Sequence, residues 1–210
     1  TYTEKPRIGL RQAFLMTATC WLAAGIFASL PFYLMSVPLS FTDAVFEAMS
    51  GITTTGSTVM IGLDHAPAGI LLWRALLQWM GGIGIIVTAI AILPMLQVGG
   101  MQLFRTESSS RTEKALPRAA PLAGWIASIY ASLTAIWALM LWMAGMGPFD
   151  AIAHAMTTIA TGGFSTSDQS IGAFQSPAIH WIITAGMIAG SLPFVLYLQA
   201  LRGNAKPLLM

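Results

Sequence analysis

Residues 41–59 read FTDAVFEAMSGITTTGSTV, and residues 150–168 read DAIAHAMTTIATGGFSTSD. Each stretch opens with an Asp and a short run of good helix formers, Asp43–Ser50 and Asp150–Thr158, then breaks into Thr, Gly and Ser. An Asp at the head of such a run predicts an N-cap and favours the positive end of the helix dipole. Eight or nine helical residues reach only about 12–14 Å, too short to cross a bilayer but enough to dip halfway and return.

The two stretches are copies of one design. Sliding the first along the chain without a gap brings Asp43, Ala44, Ala48, Met49, Ile52, Thr54 and Gly56 onto Asp150, Ala151, Ala155, Met156, Ile159, Thr161 and Gly163. With one further position of slip, Trp73 meets Trp181 and Gly82 meets Gly190. Both copies run in the same direction, which suggests a symmetry axis along the membrane normal rather than an inverted repeat.

What surrounds the two copies is apolar. Of the 210 residues, 56% are hydrophobic and 9% charged, against roughly 25% charged in an ordinary soluble domain, which nearly excludes a water-soluble globule. The net charge of +2 supplies no field for nucleic acid, and the lone Cys20 rules out an intramolecular disulfide framework and a Cys-based zinc site. Long runs without Asp, Glu, Lys or Arg separate Arg11 from Asp43, Arg74 from Arg105, Arg118 from Asp150 and Asp168 from Arg202. Each run is long enough to span, since about 20 apolar residues cross a bilayer, and four spans are predicted near 12–35, 71–96, 122–143 and 178–201. Nine of the ten basic residues (Lys5, Arg7, Arg11, Arg105, Arg111, Lys114, Arg118, Arg202 and Lys206) fall on the side of the termini and the central loop, which the positive-inside rule makes cytoplasmic. Arg74 stands alone on the outer side with Asp43, Glu47, Asp64, Asp150 and Asp168.

Irregular backbone survives at membrane depth only when it is buried in protein or lines water. A Thr/Gly turn at the carboxyl end of a half-helix offers a row of carbonyls, with the negative end of the dipole aimed at the same place. Both favour a dehydrated cation, and rings of such carbonyls are how potassium filters replace a hydration shell. Gly56 and Gly163 suit a conformation closed to other residues. Thr54, Thr55 and Thr161 add hydroxyls that brace the turn or line a pore.

At this point the sequence resembles the Trk/Ktr/HKT superfamily of potassium transporters, and most closely the membrane subunits of bacterial Trk-type uptake systems. Besides the two opening stretches, the segments WRALLQWMGGIGIIVTAIAILPMLQVGGMQLFRTESS and SLPFVLYLQALRGN carry the likeness, which covers nearly the whole chain. The resemblance implies an all-α multi-pass membrane protein of two tandem helix, pore loop, helix repeats, half of a four-repeat pseudo-fourfold pore. The implied repeats are 1–98 and 122–202, with a cytoplasmic connector at 99–121 and a tail at 203–210 leading towards a third repeat. It also implies potassium held by the backbone carbonyls of Thr53, Thr54, Thr55 and Gly56, followed by Ser57, and of Ala160, Thr161, Gly162 and Gly163, followed by Phe164. Serine at the filter-glycine position accompanies sodium permeability in some plant relatives, so glycine in both loops leans towards potassium. Each loop has one aligned glycine where potassium channels use two, which implies lower stringency. The further implications are a bacterial inner-membrane location, a homodimer in full-length form, a cytoplasmic nucleotide-binding ring of the TrkA type as partner, and no cofactor besides the transported ion.

Other residues read more plainly. Arg74, beside Trp73, reads as an interface anchor pairing with Glu47 or Asp64, or as a charge near a pore mouth. Glu47 attracts cations or makes local hydrogen bonds, and its counterpart His154 means that no ring of like charge is demanded. Gly81, Gly82 and Gly84 allow close packing, while Gly186, Gly190 and Pro193 permit a bend. An enzyme would have to be built from His154, His180 and Asp150, without HExxH or GxSxG. The remaining alternative is a non-conducting fragment or assembly module that needs further repeats or a second copy.

Overall fold

The computed structural model describes residues 10–36, 38–96 and 116–201. The connector around 99–115, the tail at 203–210 and most of the basic residues that set the expected orientation lie outside the described residues. The regular elements of the described residues are all helices: α1 (Leu10–Ala28), α2 (Leu30–Leu34), α3 (Phe41–Ile52), α4 (Ala68–Leu96), α5 (Leu116–Met143), α6 (Pro148–Ile159), α7 (Pro177–Ser191) and α8 (Phe194–Leu201). Short 3-10 turns at Leu63–His65 and Ser170–Ala173 sit in the two long loops.

Among the described residues three segments are long and apolar enough to cross a membrane: Phe14–Leu34, Ala68–Ile86 and Ala123–Met143. Phe14, Leu15, Phe27, Trp125, Leu139 and Trp181 are exposed, as a lipid-facing surface requires. The predicted fourth span, 178–201, is not one helix. It breaks between α7 and α8, where Leu192 is extended at φ −71°, ψ 141°. Pro193 is the cause, because it has no N–H to give to the carbonyl four residues back. That carbonyl, on Ala189, is taken instead by the Tyr197 hydroxyl at 2.7 Å, and Ser191 Oγ donates to Ile188 O at 2.8 Å.

The two short helices are longer than the composition suggested. α3 and α6 each run for 12 residues, or about 18 Å at 1.5 Å per residue. Neither Asp is the N-cap. Ser40 caps α3, accepting from Asp43 N–H at 3.2 Å and donating to Asp43 Oδ2 at 2.7 Å, so Asp43 supports the cap from the first turn. In α6 the cap is Gly147, Pro148 occupies the first turn, and Asp150 Oδ1 accepts from Thr166 Oγ1 at 2.7 Å.

Ala44 and Ala48 in α3, and Ala151 and Ala155 in α6, are fully buried at matching positions. Their small side chains let α3 pack close to α1 and α4, and α6 close to α5 and α7. α4 also packs along α6, so one long helix touches both short ones. It does so through glycine: a Cβ on Gly81 would overlap Ile52 O, the last carbonyl of α3. In α7, a Cβ on Gly190 would likewise stand 2.5 Å from Ile159 O, the last carbonyl of α6. The structural counterpart of Gly190 is therefore Gly81, not the Gly82 that the sequence slide pairs with it. Gly82 instead faces Tyr130 Oη and Ala160.

Replacing Tyr197 by Phe leaves the half-buried Ala189 carbonyl without its donor. We expect this to lower stability by about 1–3 kcal/mol, read as a reduced unfolding temperature in detergent micelles. An unchanged midpoint would show that the break at Pro193 satisfies itself in another way.

Candidate functional site

The carboxyl ends of α3 and α6 unwind through the same hydrogen bonds. Thr53 N–H donates to Met49 O and Ala160 N–H to Met156 O, at 2.9 and 3.1 Å. Thr54 and Thr161 donate to Gly51 O and Thr158 O at 3.0 and 2.9 Å, and Thr55 and Gly162 to Ser50 O and Thr157 O at 3.0 and 2.8 Å. Every pair keeps the same register that relates Asp43 to Asp150.

These bonds force an unusual backbone. Thr54 and Thr161 have φ of 56° and 52°, and Gly56 and Gly163 have φ of 79° and 85°, while the residue between each pair does not. A positive φ is an outlier for a β-branched residue, and it occurs here twice at equivalent positions. Glycine carries no such penalty, which explains Gly56 and Gly163. Among the described residues none donates a hydrogen bond to the carbonyl oxygens of Thr53, Thr54, Thr55, Gly56, Thr161, Gly162 or Gly163.

The threonine hydroxyls brace the turns. Thr53 Oγ1 donates to Met49 O at 2.7 Å and lies 2.8 Å from Thr55 Oγ1, and Thr161 Oγ1 donates to Ala160 O at 2.8 Å. Ser50 Oγ donates to Ser57 O and ties the last turn of α3 to the chain beyond Gly56.

The two turns meet. A Cβ on Gly56 would overlap the Gly162 carbonyl oxygen. On one side of this contact a cleft of about 540 Å³ is lined by Gly56, Thr58, Arg74, Gly163, Ser165 and Asp168. On the other side a cleft of about 450 Å³ is lined by Thr54, Thr161, Tyr130 and Pro193 among others. All eight sequence-predicted site residues thus sit in two adjoining turns, with Ala160 and Gly162 buried and Thr55, Thr161 and Gly163 exposed.

Behind the turns lies a polar layer. Glu47 and His154, at equivalent positions of the two copies, each reach from a short helix to the loop that follows it. Glu47 accepts from Thr58 Oγ1 at 2.8 Å and from Val59 N–H at 3.1 Å. His154 Nε2 lies 3.0 Å from Ser165 Oγ, and its Nδ1 lies 2.8 Å from the backbone oxygen of Asp150, not from the carboxylate. Arg74 joins the two systems. Its Nε is 2.8 Å from Glu47 Oε1, one terminal nitrogen donates to Thr58 Oγ1 at 3.1 Å, and the other donates to Ser165 O at 2.7 Å. The guanidinium stands 4.1 Å over the Phe164 ring. At 1% exposure Arg74 is no interface anchor, although its expected pairing with Glu47 is present and Asp64 takes no part. Asp168 adds a second tie between repeats, accepting from Gly62 and Leu63 N–H at 3.0 Å each.

Sequence reasoning passed over Gln78, fully buried, whose Oε1 accepts from Phe164 N–H at 3.1 Å. The available signal was an uncharged polar residue one turn after Arg74 in an apolar span, since polar groups there are functional candidates by default.

Removing one partner of a buried ion pair leaves the other unpaired, so Arg74→Met and Glu47→Gln should each destabilise by about 3–5 kcal/mol. The double variant should lose clearly less than the sum. Thermal unfolding of the four proteins in detergent checks this, and simple additivity would mean that the pair is not coupled.

Comparison with known proteins bears on the same residues. The family model described as TrkH, cation transport protein, matches residues 2–207. The chain is 49% identical to the Trk system potassium uptake protein TrkI of Halomonas elongata over 199 residues, covering 94% of this chain and 40% of that protein. It is 47% identical to the Trk system potassium uptake protein TrkH of Escherichia coli over 205 residues, covering 96% of this chain and 42% of that one. The crystal structure of the potassium transporter TrkH from Vibrio parahaemolyticus matches with a TM-score of 0.81 at 42% identity, over 98% of this chain and 41% of that chain. The chain spans about two fifths of the length of these relatives. Agreement in sequence and in fold over nearly all of its residues makes the chain a member of the TrkH cation transport family, multi-pass membrane transport proteins and not enzymes.

Proposed function

We propose that the chain contributes two of the filter turns of a potassium uptake pore, with the ion held by the backbone carbonyls of Thr53, Thr54, Thr55, Gly56, Ala160, Thr161, Gly162 and Gly163. The observation that carries this reading is the matched backbone of the two turns. Positive φ at Thr54 and Gly56, and again at Thr161 and Gly163, alternates with the intervening residue in both copies. Such alternation turns successive carbonyls towards one side, whereas a strand turns them to opposite sides. Carbonyls gathered on one side, at the negative ends of two helices, suit a dehydrated monovalent cation. The names of the relatives, potassium uptake proteins, support the choice of ion.

Two turns make half of a ring of four. The exposed face of α7, with Met187 and Ile188, is the surface on which a third repeat would pack, as α6 packs on α4. The same face supports the alternative, in which the 210-residue chain by itself conducts nothing and acts as an assembly module until a further repeat or a second copy covers it. By resemblance the complete protein is an inner-membrane homodimer with the termini of this segment in the cytoplasm, partnered by a nucleotide-binding ring of the TrkA type.

The two glycines give unequal predictions. A methyl group at Gly56 meets the Gly162 carbonyl, whereas a methyl group at Gly163 meets no atom within 4 Å and costs only the strain of its φ of 85°, about 1–2 kcal/mol. Gly56→Ala should therefore abolish potassium uptake into cells lacking their own, in a chimaera with the Escherichia coli relative, while Gly163→Ala only reduces it. Bulky residues at either position that leave uptake unchanged would remove the filter assignment. Topology is tested separately: a protease supplied from the cytoplasmic side of vesicles should cut within 105–118, and cleavage from the outer side would invert the orientation.

A further inference from the structure

Gln78 is fully buried in α4, and from Leu71 to Met80 only it and Arg74 interrupt an apolar run. Its Oε1 holds the N–H of Phe164, the residue that follows the second filter glycine. Its Nε2 has no hydrogen-bond partner, alone among buried side-chain nitrogens and oxygens of the described residues. Turning the amide over gives no relief, because Phe164 N–H needs an acceptor. The carboxamide lies on Gly162, where a Cβ would overlap its carbon and its oxygen. The same group reaches the other turn, with Nε2 at 3.6 Å from the place of a Cβ on Gly56.

One planar group thus fills the space that a side chain at Gly162 would need and lies beside the contact of the Gly162 carbonyl with Gly56. Packing alone does not explain it, since Met has a similar volume and leaves no N–H unpaired. Nor is it a feature of every repeat. The register that relates Gly81 to Gly190 places Met187 at the position equivalent to Gln78, and Met187 is exposed. The amide belongs to the junction between the first turn and the second.

We propose that Gln78 is a positioning residue whose carboxamide sets the separation of the two filter turns and thereby the choice between monovalent cations. The proposal rests on the pore reading above. Oε1 fixes the exit of the second turn through Phe164 N–H, and the carboxamide stands against Gly162 beside the point where the Gly162 carbonyl meets Gly56. Whether a filter discriminates by cavity size or by the field of its carbonyls, their separation enters directly. A rigid amide holds that separation more narrowly than a flexible alkyl chain does.

The test places this chain in the aligned segment of the Escherichia coli relative, so that a complete transporter is measured in cells without other potassium uptake. Potassium and sodium uptake are read per amount of tagged protein in the membrane. Gln78→Met removes both polar groups at nearly constant volume, and Gln78→Asn keeps the amide but withdraws it by one methylene. The potassium to sodium ratio should fall roughly tenfold in the Met variant, the scale of one lost hydrogen bond, and by a smaller factor in the Asn variant. A merely structural glutamine would lower the amount of protein and leave the ratio alone, and an unchanged ratio in both variants overturns the proposal. Where the Met variant does not reach the membrane, the ratio of the Asn variant decides. Gly56→Val measured alongside separates the two levels. Uptake that survives it overturns the pore reading, whereas uptake that it abolishes, together with unchanged Gln78 ratios, overturns only the present proposal.

Discussion

A guanidinium buried away from water must be answered by its neighbours, and at Arg74 those neighbours belong to both repeats. Glu47 and Thr58 come from the first, Ser165 and Phe164 from the second. An isolated buried charge is costly enough that this set cannot be loosened piecemeal. The relative placement of the two loops is therefore fixed, and with it the meeting of the turns that precede them. Asp168, bonded to Gly62 and Leu63 N–H, repeats the constraint nearer the surface.

That constraint permits the turns to hold a conformation they would not adopt alone. Threonine at φ near 55° is unfavourable by about 1–3 kcal/mol, and it occurs at Thr54 and Thr161. The framework over-determines it through backbone bonds to the last helical turn, through the Thr53 and Thr55 hydroxyls, and through Gly81 and Gly190 pressed against the final carbonyls of α3 and α6. The polar layer is asymmetric where the turns are not: Glu47 in one repeat and His154 in the other make the same kind of bond to their loops. Only the first needs a cation, and α4 supplies it.

Much of this is legible without coordinates. The half-helices, the Thr/Gly turns and their constant spacing are written in matched residue types, and Asp, Ala, Thr and Gly recur where the structure uses them alike. Helix starts are less legible, because Ser40 and Pro148, not the acidic residues, begin α3 and α6. The fourth span looks continuous in the sequence because hydropathy counts apolar residues and is blind to the donor that Pro193 lacks. Gly82 falls opposite Gly190 because a slide of the sequence cannot weigh one glycine of a cluster against its neighbour.

The sequence by itself determined that this chain carries two copies of one short-helix and Thr/Gly-turn design set among long apolar runs, because residue spacing and charge-free runs are local properties of the residues. Only the tertiary structure decided that Arg74 faces inward to join two loops and that Gln78 lies against Gly162 where the two turns meet. Those assignments depend on which groups, far apart along the chain, come within hydrogen-bond distance. A charge or an amide reads the same in a string whether water or protein answers it, and its partners exist only once the helices have packed.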